Sequence, residues 1–210
     1  MFITFEGIDS SGKSTQCQLL GQYLTDKGFD VLLLREPGGT KISEKIRDLL
    51  LDVNSGGMLP LAEFLLYSAA RAQLVNEVIR PALTEGKIVI CDRFDDSSTA
   101  YQGHARGLGM DNVKSINKIA TGGLIPDLTI FIDITVEESL KRLKVAGKMT
   151  DRMESEDARF FEAVREGYLQ LATDDKSDSP NRFKVINGLD DISTIERRIQ
   201  QIVRDEMVID

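Results

Sequence analysis

The sequence predicts an α/β fold in which a five-stranded parallel sheet carries helices on both faces. Short apolar runs alternate with amphipathic segments along the 210 residues, as they do in doubly wound sheets. The pattern G-x-x-x-x-G-K-S, at residues 7–14, follows the first apolar run and opens onto a helix-like segment. This is the strand–loop–helix setting of a P-loop. We therefore expect one domain whose ligands lie at the carboxyl ends of the strands.

Each element is predicted from its own stretch of sequence. Short apolar runs predict strands at Phe2–Glu6, Asp30–Arg35, Ile88–Asp92, Leu128–Ile134 and Phe183–Asn187. Amphipathic spacing predicts helices near Lys13–Lys27, Ile42–Leu51, Leu61–Thr84, Asn112–Thr121, Val136–Lys144, Ala158–Thr173 and Ile192–Glu206. The polar stretch 174–181, which contains Pro180, predicts an exposed loop. The short charged stretch 147–156 lies between two helices and predicts a mobile lid, at about residues 145–157.

Charge and composition argue against several classes of partner. There are 26 Lys and Arg against 34 Asp and Glu, a formal charge of −8, so no binding to nucleic acid is expected. No apolar run approaches the length of a membrane span and no signal peptide precedes the first strand, which favours a cytoplasmic protein without membrane contact. Cys17 and Cys91 are expected to be reduced core residues, and His104 a loop residue.

The composition of the P-loop predicts a polyphosphate site. Its glycines let the backbone wrap an anion, and the inward amides and the following helix N-terminus favour negative charge. Lys13 would reach the outer phosphates, and the Ser14 hydroxyl would bind Mg²⁺. The predicted nucleotide site consists of Gly7, Ile8, Asp9, Ser10, Ser11, Gly12, Lys13, Ser14 and Thr15.

Charged residues follow the second and third predicted strands. Arg35 and Glu36 begin the stretch R-E-P-G-G-T, and Arg47 lies in the next segment. This favours a charged pocket over a plain loop with a capped helix. Asp92 ends the third strand in a Walker B-like pattern, where a carboxylate holds Mg²⁺. Arg93 follows it directly, so the pair belongs either to the phosphate site or to a structural salt bridge.

Other candidates could contact a planar ring. Tyr67 and Arg71 are four residues apart and share a helical face, so they could stack on a base and donate to its carbonyl oxygens. Periodicity alone favours a core tyrosine beside a surface arginine. The stretch 97–103 supplies hydroxyls and an amide for a neutral ring. Asp133, which ends the fourth strand, is expected to cap the helix near Val136.

The predicted lid carries basic residues among acidic ones. A charge run is usually a solvated face, but this one is placed where cations would close over transferring phosphates. The basic residues are Arg142, Lys144, Lys148 and Arg152. Arg142 is assigned to the ATP site.

Together these stretches resemble the bacterial thymidylate kinase family, which has the P-loop NTPase fold. The similarity runs through F-E-G-I-D at 5–9, the P-loop, R-E-P-G-G-T at 35–40, Tyr67–Arg71, D-R-F at 92–94, A-Y-Q-G at 100–103, P-D-L at 126–128 and D-R-M-E at 151–154. The P-loop alone indicates only a superfamily, whereas the combination is far more specific. The resemblance implies Mg²⁺-dependent transfer of the γ-phosphoryl group of ATP to dTMP, giving dTDP and ADP, by a homodimer.

The resemblance also implies roles for individual residues. Asp9 would face the sugar 3′-hydroxyl, and Tyr101 would exclude a ribose 2′-hydroxyl. Tyr67 would stack on thymine, where the family more often has Phe. The base edge would be contacted by Arg71, Ser98 and Gln102. The acceptor phosphate would be held by Arg93 and Arg47, with Glu36 nearby.

One departure from the family pattern concerns the lid. Bacterial members without a basic residue inside the P-loop supply a catalytic arginine from the lid, and residues 8–11 contain no basic residue here. Arg152 lies in the D-R-x-E stretch, whereas Lys148 stands closer to the expected place. Both therefore join Lys13, Arg93 and Asp9 as catalytic candidates, and Lys144 stays open as well. A lysine in this role would act as a point charge without the bidentate geometry of arginine.

Two rival functions are open at this point. One is a kinase for another small acceptor, such as a deoxynucleoside or another monophosphate. A nucleoside acceptor would need a carboxylate base, for which Glu36 is the candidate, whereas the arginines around the acceptor favour an anionic substrate. A GTPase-like switch is disfavoured, because the tetrapeptide N-K-I-A at 117–120 lacks the acid of N-K-x-D. No D-x-x-G follows a strand at the expected switch position either.

Overall fold

The computed structural model describes residues 1–146, 151–178 and 182–207. In these ranges the strands form one parallel sheet in the order β2-β3-β1-β4-β5. The strands are β1 (Phe2–Glu6), β2 (Val31–Arg35), β3 (Ile88–Asp92), β4 (Leu128–Asp133) and β5 (Phe183–Asn187). The helices are α1 (Lys13–Asp26), α2 (Lys41–Leu51), α3 (Pro60–Leu74), α4 (Arg80–Thr84), α5 (Asp95–Ser98), α6 (Met110–Ala120), α7 (Val136–Ala146), α8 (Ala158–Asp178) and α9 (Ile192–Met207).

The structure confirms the predicted fold class and every predicted strand, with small shifts at the ends of β2 and β4. The predicted helix Leu61–Thr84 is α3 and α4 joined by a π-helical turn, Val75–Ile79. A short 3₁₀ turn, Val53–Ser55, lies between α2 and α3.

Two predictions about loops are wrong in the described ranges. Residues 95–105 form α5 and a π-helical turn, Thr99–Ala105, so His104 is helical. Residues 174–178 continue α8 and do not form a loop. Polar residues occur at helix ends as well as in loops, so composition alone does not separate the two. The rest of that predicted loop, and residues 147–150 of the predicted lid, lie outside the described residues.

The core lies on both faces of the sheet. On one face, Leu20 and Leu24 of α1 pack with Ile199 and Val203 of α9 against the central strands. On the other face, the ring of Tyr168 of α8 stacks on Phe131 with centroids 5.0 Å apart. Cys17 and Cys91 are free and buried, which confirms the expectation of reduced core residues.

The register aligns the carboxyl ends of the strands at one edge. Asp92 pairs with Phe5 of β1 and with Arg35 of β2, so the residues that follow these strands come close together. In the ranges that the structure describes, no helix combines the length and the apolar character that a membrane span requires.

Candidate active site

The P-loop joins β1 to α1 through backbone conformations that favour glycine. Gly7 has φ of 143°, and a Cβ there would lie 2.6 Å from the carbonyl oxygen of Ile132. Gly12 has φ of 101° at the N-cap of α1, where no side chain caps the helix. The free amides at this helix end are therefore available to an anion.

Lys13 lies inside the loop with its amine held close to the backbone. Its Nζ donates to the carbonyl oxygen of Ile8 at 2.8 Å, and the residue is 6% exposed. Burial, and after it the nearby charge of Arg93, lower the pKa of Lys13 to about 8 against the opposing effect of the neighbouring carboxylates. A bound polyphosphate would favour the charged amine.

Ser14 and Asp92 bring two oxygen ligands together below the loop. Ser14 Oγ donates to Asp92 Oδ2 at 2.5 Å, which joins the start of α1 to the end of β3. Mg²⁺ prefers oxygen ligands and is usually held by one or two protein groups together with substrate phosphates. The donor set fits that ion.

Arg93 is the side chain that joins the P-loop to β3. Its φ is 72°, a left-handed conformation that arginine rarely adopts. Its Nη2 donates to Asp9 Oδ1 at 2.6 Å and its Nη1 to the carbonyl oxygen of Gly7 at 2.9 Å. Burial of Asp9 opposes ionisation, but Arg93 and Lys13 outweigh it and lower the pKa of Asp9.

Glu6, at the end of β1, binds residues that surround Arg93. The sequence did not indicate it as a site residue. Its carboxylate accepts from the backbone N–H of Phe94 at 2.8 Å, from Ser97 Oγ at 2.6 Å and from the Tyr168 hydroxyl at 2.8 Å. Burial, and the charge of Asp96, raise the pKa of Glu6 to about 7. The F-E-G-I-D stretch was the only sequence signal for it.

Every residue that the resemblance assigns to the acceptor lines one cavity, which we call the aromatic pocket. That these residues bind a substrate stays a prediction. The aromatic pocket is lined by Asp9, Glu36, Pro37, Arg47, Leu51, Tyr67, Arg71, Arg93, Phe94, Ser97, Ser98, Tyr101, Gln102, Asp151, Met153 and Glu154.

A second cavity, the P-loop pocket, opens over the phosphate-binding loop and shares several walls with the aromatic pocket. It is lined by Asp9, Ser10, Gly12, Lys13, Ser14, Thr15, Arg35, Glu36, Arg47, Asp92, Arg93, Arg142, Leu143 and Glu154. A third, the side pocket, extends from it toward α9. It is lined by Ser10, Gly12, Thr15, Gln16, Arg142, Gly188, Asp190, Asp191, Ile192 and Ser193.

Arg71 is fully buried, so the interpretation of it as a surface arginine is wrong. Its Nε donates to Glu36 Oε2 at 2.8 Å, and its Nη atoms donate to Asn117, to the Phe94 carbonyl and to Ser98. Burial raises the pKa of Glu36 to about 7, against the opposing effect of Arg71. Among the described residues, no group donates to the buried Glu36 Oε1.

Arg152 belongs to a buried network that no sequence pattern indicated. Its Nη1 lies 2.7 Å from Glu63 Oε2, and its Nε donates to the carbonyl oxygen of Leu50 at 2.7 Å. Arg106 and Gln102 also donate to Glu63. The described part of the predicted lid is therefore anchored to α2 and α3 through Arg152, whereas Lys148 lies outside the described residues.

Arg142 and Asp133 are both held by partners at the strand ends. Arg142 Nε donates to Glu138 at 2.8 Å and its Nη2 to the Gly188 carbonyl at 3.0 Å. Asp133 does not cap α7, contrary to expectation: it accepts two hydrogen bonds from Arg165, at 2.6 and 2.8 Å. Thr135 takes the capping role instead, because its hydroxyl accepts from the backbone N–H of Glu138.

Comparison with known proteins confirms the resemblance. The sequence model of the family described as thymidylate kinase matches residues 5–199. The chain is 50% identical over 204 residues to the thymidylate kinase of Caldanaerobacter subterraneus subsp. tengcongensis, covering 97% of this chain and 95% of that one. It is 50% identical over 203 residues to that of Thermosipho melanesiensis, covering 97% of each.

A solved structure agrees with the sequence comparisons. The crystal structure of thymidylate kinase from Ehrlichia chaffeensis matches with a TM-score of 0.77 at 34% identity, over 97% of this chain and 98% of that one. Both the sequence and the arrangement of the sheet lead to the same assignment: the chain belongs to the thymidylate kinase family.

Proposed function

We propose that this chain transfers the γ-phosphoryl group of ATP to dTMP at the place where the aromatic pocket and the P-loop pocket meet. ATP-dependent phosphorylation of dTMP is the activity of the family to which the chain belongs. The observation that most supports this site is the set of residues lining both pockets. A kinase needs donor and acceptor phosphates side by side and in line. The shared residues are Asp9, Glu36, Arg47, Arg93 and Glu154.

ATP occupies the P-loop pocket and the side pocket in this proposal. The loop amides and Lys13 hold the phosphates, and the adenosine extends past Thr15 and Arg142 into the side pocket. Ser14 and Asp92 hold Mg²⁺, which would offset the negative charge of the β- and γ-phosphates when bound.

The acceptor occupies the aromatic pocket. Tyr67 stacks on thymine, and Arg71, Ser98 and Gln102 face its polar edge. Asp9 and Tyr101 contact the deoxyribose. The guanidinium groups of Arg93 and Arg47 hold the acceptor phosphate, because paired N–H donors match its oxygens.

The reaction needs positioning more than acid–base chemistry. An oxygen of the dTMP phosphate, already anionic, forms a bond to the γ-phosphorus while the bond from that phosphorus to the β–γ bridging oxygen breaks. ADP leaves with that electron pair. The lid, at about residues 145–157 of a single domain, closes over the site and excludes water. Within it, Arg152 anchors the lid base, and Lys148 is the candidate for direct contact with the transferring group.

Exposed apolar side chains on α2 and α3 support the proposal of a homodimer. Ile42 and Leu49 of α2 are 52% and 48% exposed, and Leu61 and Leu65 of α3 are 52% and 48% exposed. Apolar patches of this kind mark interfaces between chains. Dimeric assembly, a cytoplasmic location and the lack of nucleic-acid or membrane partners complete the proposal.

A second candidate, a nucleoside kinase, is favoured by one observation. Glu36 Oε1 is buried and receives no hydrogen bond from the described residues, and burial raises the pKa of Glu36 to about 7. Such a carboxylate could take a hydroxyl proton from thymidine. Arg93 and Arg47 in the same pocket favour an anionic acceptor instead.

An assay of ADP release separates these candidates. Purified protein with MgATP is offered dTMP, dUMP, AMP, CMP, GMP or thymidine in parallel, with a sample that contains no acceptor. We expect rapid ADP release with dTMP and almost none without acceptor. Preference for thymidine would move the chemistry to Glu36, and equal release without acceptor would contradict a kinase.

A further inference from the structure

Glu63 of α3 is a buried carboxylate to which the proposed function gives no role. It is 1% exposed. Its Oε1 accepts from Gln102 Nε2 at 2.9 Å and from Arg106 Nε at 3.3 Å. Its Oε2 accepts from Arg106 Nη2 at 3.2 Å and lies 2.7 Å from Arg152 Nη1. Both oxygens therefore act as acceptors, because a guanidinium group can only donate.

This carboxylate determines which end of the Gln102 amide faces the aromatic pocket. Since Glu63 Oε1 accepts, the group that faces it must be the Gln102 NH₂. A flipped amide would place its carbonyl oxygen against the carboxylate, acceptor against acceptor. Gln102 Oε1 is therefore directed away from Glu63, and no hydrogen bond within the described ranges uses it, although Gln102 lines the pocket.

The carboxylate itself is held from both sides. The Arg106 guanidinium lies 4.4 Å from the centre of the Phe160 ring and donates to Glu156 at 2.7 Å. Arg152 is fixed by its bond to the Leu50 carbonyl. Glu63 therefore cannot turn to accommodate a flipped Gln102, and the acceptor end of the amide is the one left for a ligand.

We propose that Glu63 is a positioning residue through which Gln102 distinguishes thymine from cytosine. The inference rests on the proposed function, since it concerns the base of the same acceptor. Thymine carries an N–H donor at N3, whereas cytosine carries an acceptor lone pair there. A fixed Gln102 Oε1 accepts a hydrogen bond from the N3–H of thymine. With cytosine the same oxygen would face the lone pair of N3, so two acceptors would meet and no hydrogen bond could form. Sites built around such a bond reject the analogue that cannot form it.

The test compares kcat/KM for dTMP with kcat/KM for dCMP, together with calorimetric Kd values for both nucleotides. Glu63→Gln keeps the size of the side chain but can face Gln102 with either end of its amide. We expect the dTMP-over-dCMP ratio to fall by about tenfold or more, with a rise in KM for dTMP that exceeds any change in kcat. Glu156→Gln is the matched control, because Glu156 accepts from Arg106 in the same network but contacts neither Glu63 nor Gln102 among the described contacts. Its ratio should stay within about twofold of wild type.

Gln102→Met completes a double-mutant cycle. If Glu63 acts through Gln102, adding Glu63→Gln to Gln102→Met leaves the ratio unchanged, because the orienting bond is already absent. Thermal unfolding identifies variants that do not fold. Where Glu63→Gln is one of them, Glu63→Asp carries the test, since it keeps the charge for the arginines but withdraws from Gln102.

Two results would overturn the inference about Glu63 while leaving the proposed function intact. One is a folded Glu63 variant with an unchanged ratio, and the other is an equal loss in Glu156→Gln, which would make the effect structural. A wild-type chain that does not phosphorylate dTMP would overturn the proposed function as well.

Discussion

Arg93 and Asp9 form an ion pair, with Arg93 Nη2 2.6 Å from Asp9 Oδ1, and both residues line both the aromatic pocket and the P-loop pocket. Asp9 comes from the P-loop and Arg93 from the end of β3. The pair therefore fixes the position of a cation relative to the site where a polyphosphate would bind. Arg93 is held in place before any ligand arrives, which reduces the cost of ordering it during the reaction.

Replacing Arg93 by lysine should impair catalysis even though the charge is kept. Lysine has no planar fork, so it cannot contact Asp9 and the transferring phosphate in the same geometry. We expect kcat with dTMP to fall by at least about a hundredfold in steady-state assays. Arg165→Lys is the control, since Arg165 binds Asp133 outside both pockets. A kcat for Arg93→Lys close to that of wild type would remove Arg93 from this role.

ATP affinity should weaken as pH rises through about 8. Burial holds the pKa of Lys13 at about 8 in the free protein, so the amine is charged below that pH and loses its proton above it. Since only the charged form attracts phosphate, the Kd for ATP should rise by up to about tenfold per pH unit above the pKa. Calorimetric titration at several pH values between about 7 and 9.5 measures the Kd for ATP. Lys13→Met should bind weakly with a flat profile, and a flat profile in wild type would contradict the assignment.

The two strand-end aspartates should differ in what their removal affects. Asp92→Asn weakens the ligand pair with Ser14, so we expect a higher Mg²⁺ concentration for half-maximal activity and a kcat about a hundredfold lower. Asp133→Asn breaks the partly exposed pair with Arg165 and should cost about 1 kcal/mol of unfolding free energy, with kcat unchanged. Magnesium titrations and urea unfolding of both variants make the comparison. Equal losses of activity in the two variants would contradict the assignment of a metal-binding role to Asp92 and a structural role to Asp133.

The free energy of unfolding of the wild-type protein should fall relative to that of Glu6→Gln as pH rises. Burial raises the pKa of Glu6 from 4.5 to about 7 in the folded chain, so the folded state binds a proton more tightly than the unfolded state does. The stabilisation is fully present below about pH 4.5 and is lost as pH rises through about 7, over a range of up to about 3 kcal/mol. Urea unfolding of wild type and variant from about pH 5 to 8 measures the difference. A difference that is constant with pH would contradict the buried-carboxylate account.

The sequence was sufficient for those parts of the fold that local patterns determine. The strands follow from apolar runs, and the P-loop from its glycines and Lys13, because each is encoded within a few neighbouring residues. The clustering of Tyr67, Arg93 and Tyr101 in one pocket followed from the family resemblance. Of the three, only Arg93 directly follows a strand, at the edge where the fold class places ligands.

The parts that could not be predicted depend on contacts between distant residues. No sequence pattern singled out Glu63 or Arg106, and only the fold brings them together with Arg152 in a buried network. Asp133 follows the pattern of a helix cap, but Arg165 of α8 is close enough to take both of its oxygens. The helical turn that contains His104 has no regular apolar spacing, so periodicity could not indicate it.

The most direct test of the account is the affinity of a compound that joins thymidine and adenosine through a polyphosphate bridge, measured by calorimetry for bridges of several lengths. If the two pockets meet at Arg93 and Asp9, one bridge length should bind at least about a hundredfold more tightly than ATP or dTMP alone, because both ends bind at once. That gain should be largely lost in Arg93→Ala. Affinity no greater than that of ATP at every bridge length would show that donor and acceptor do not meet at this junction.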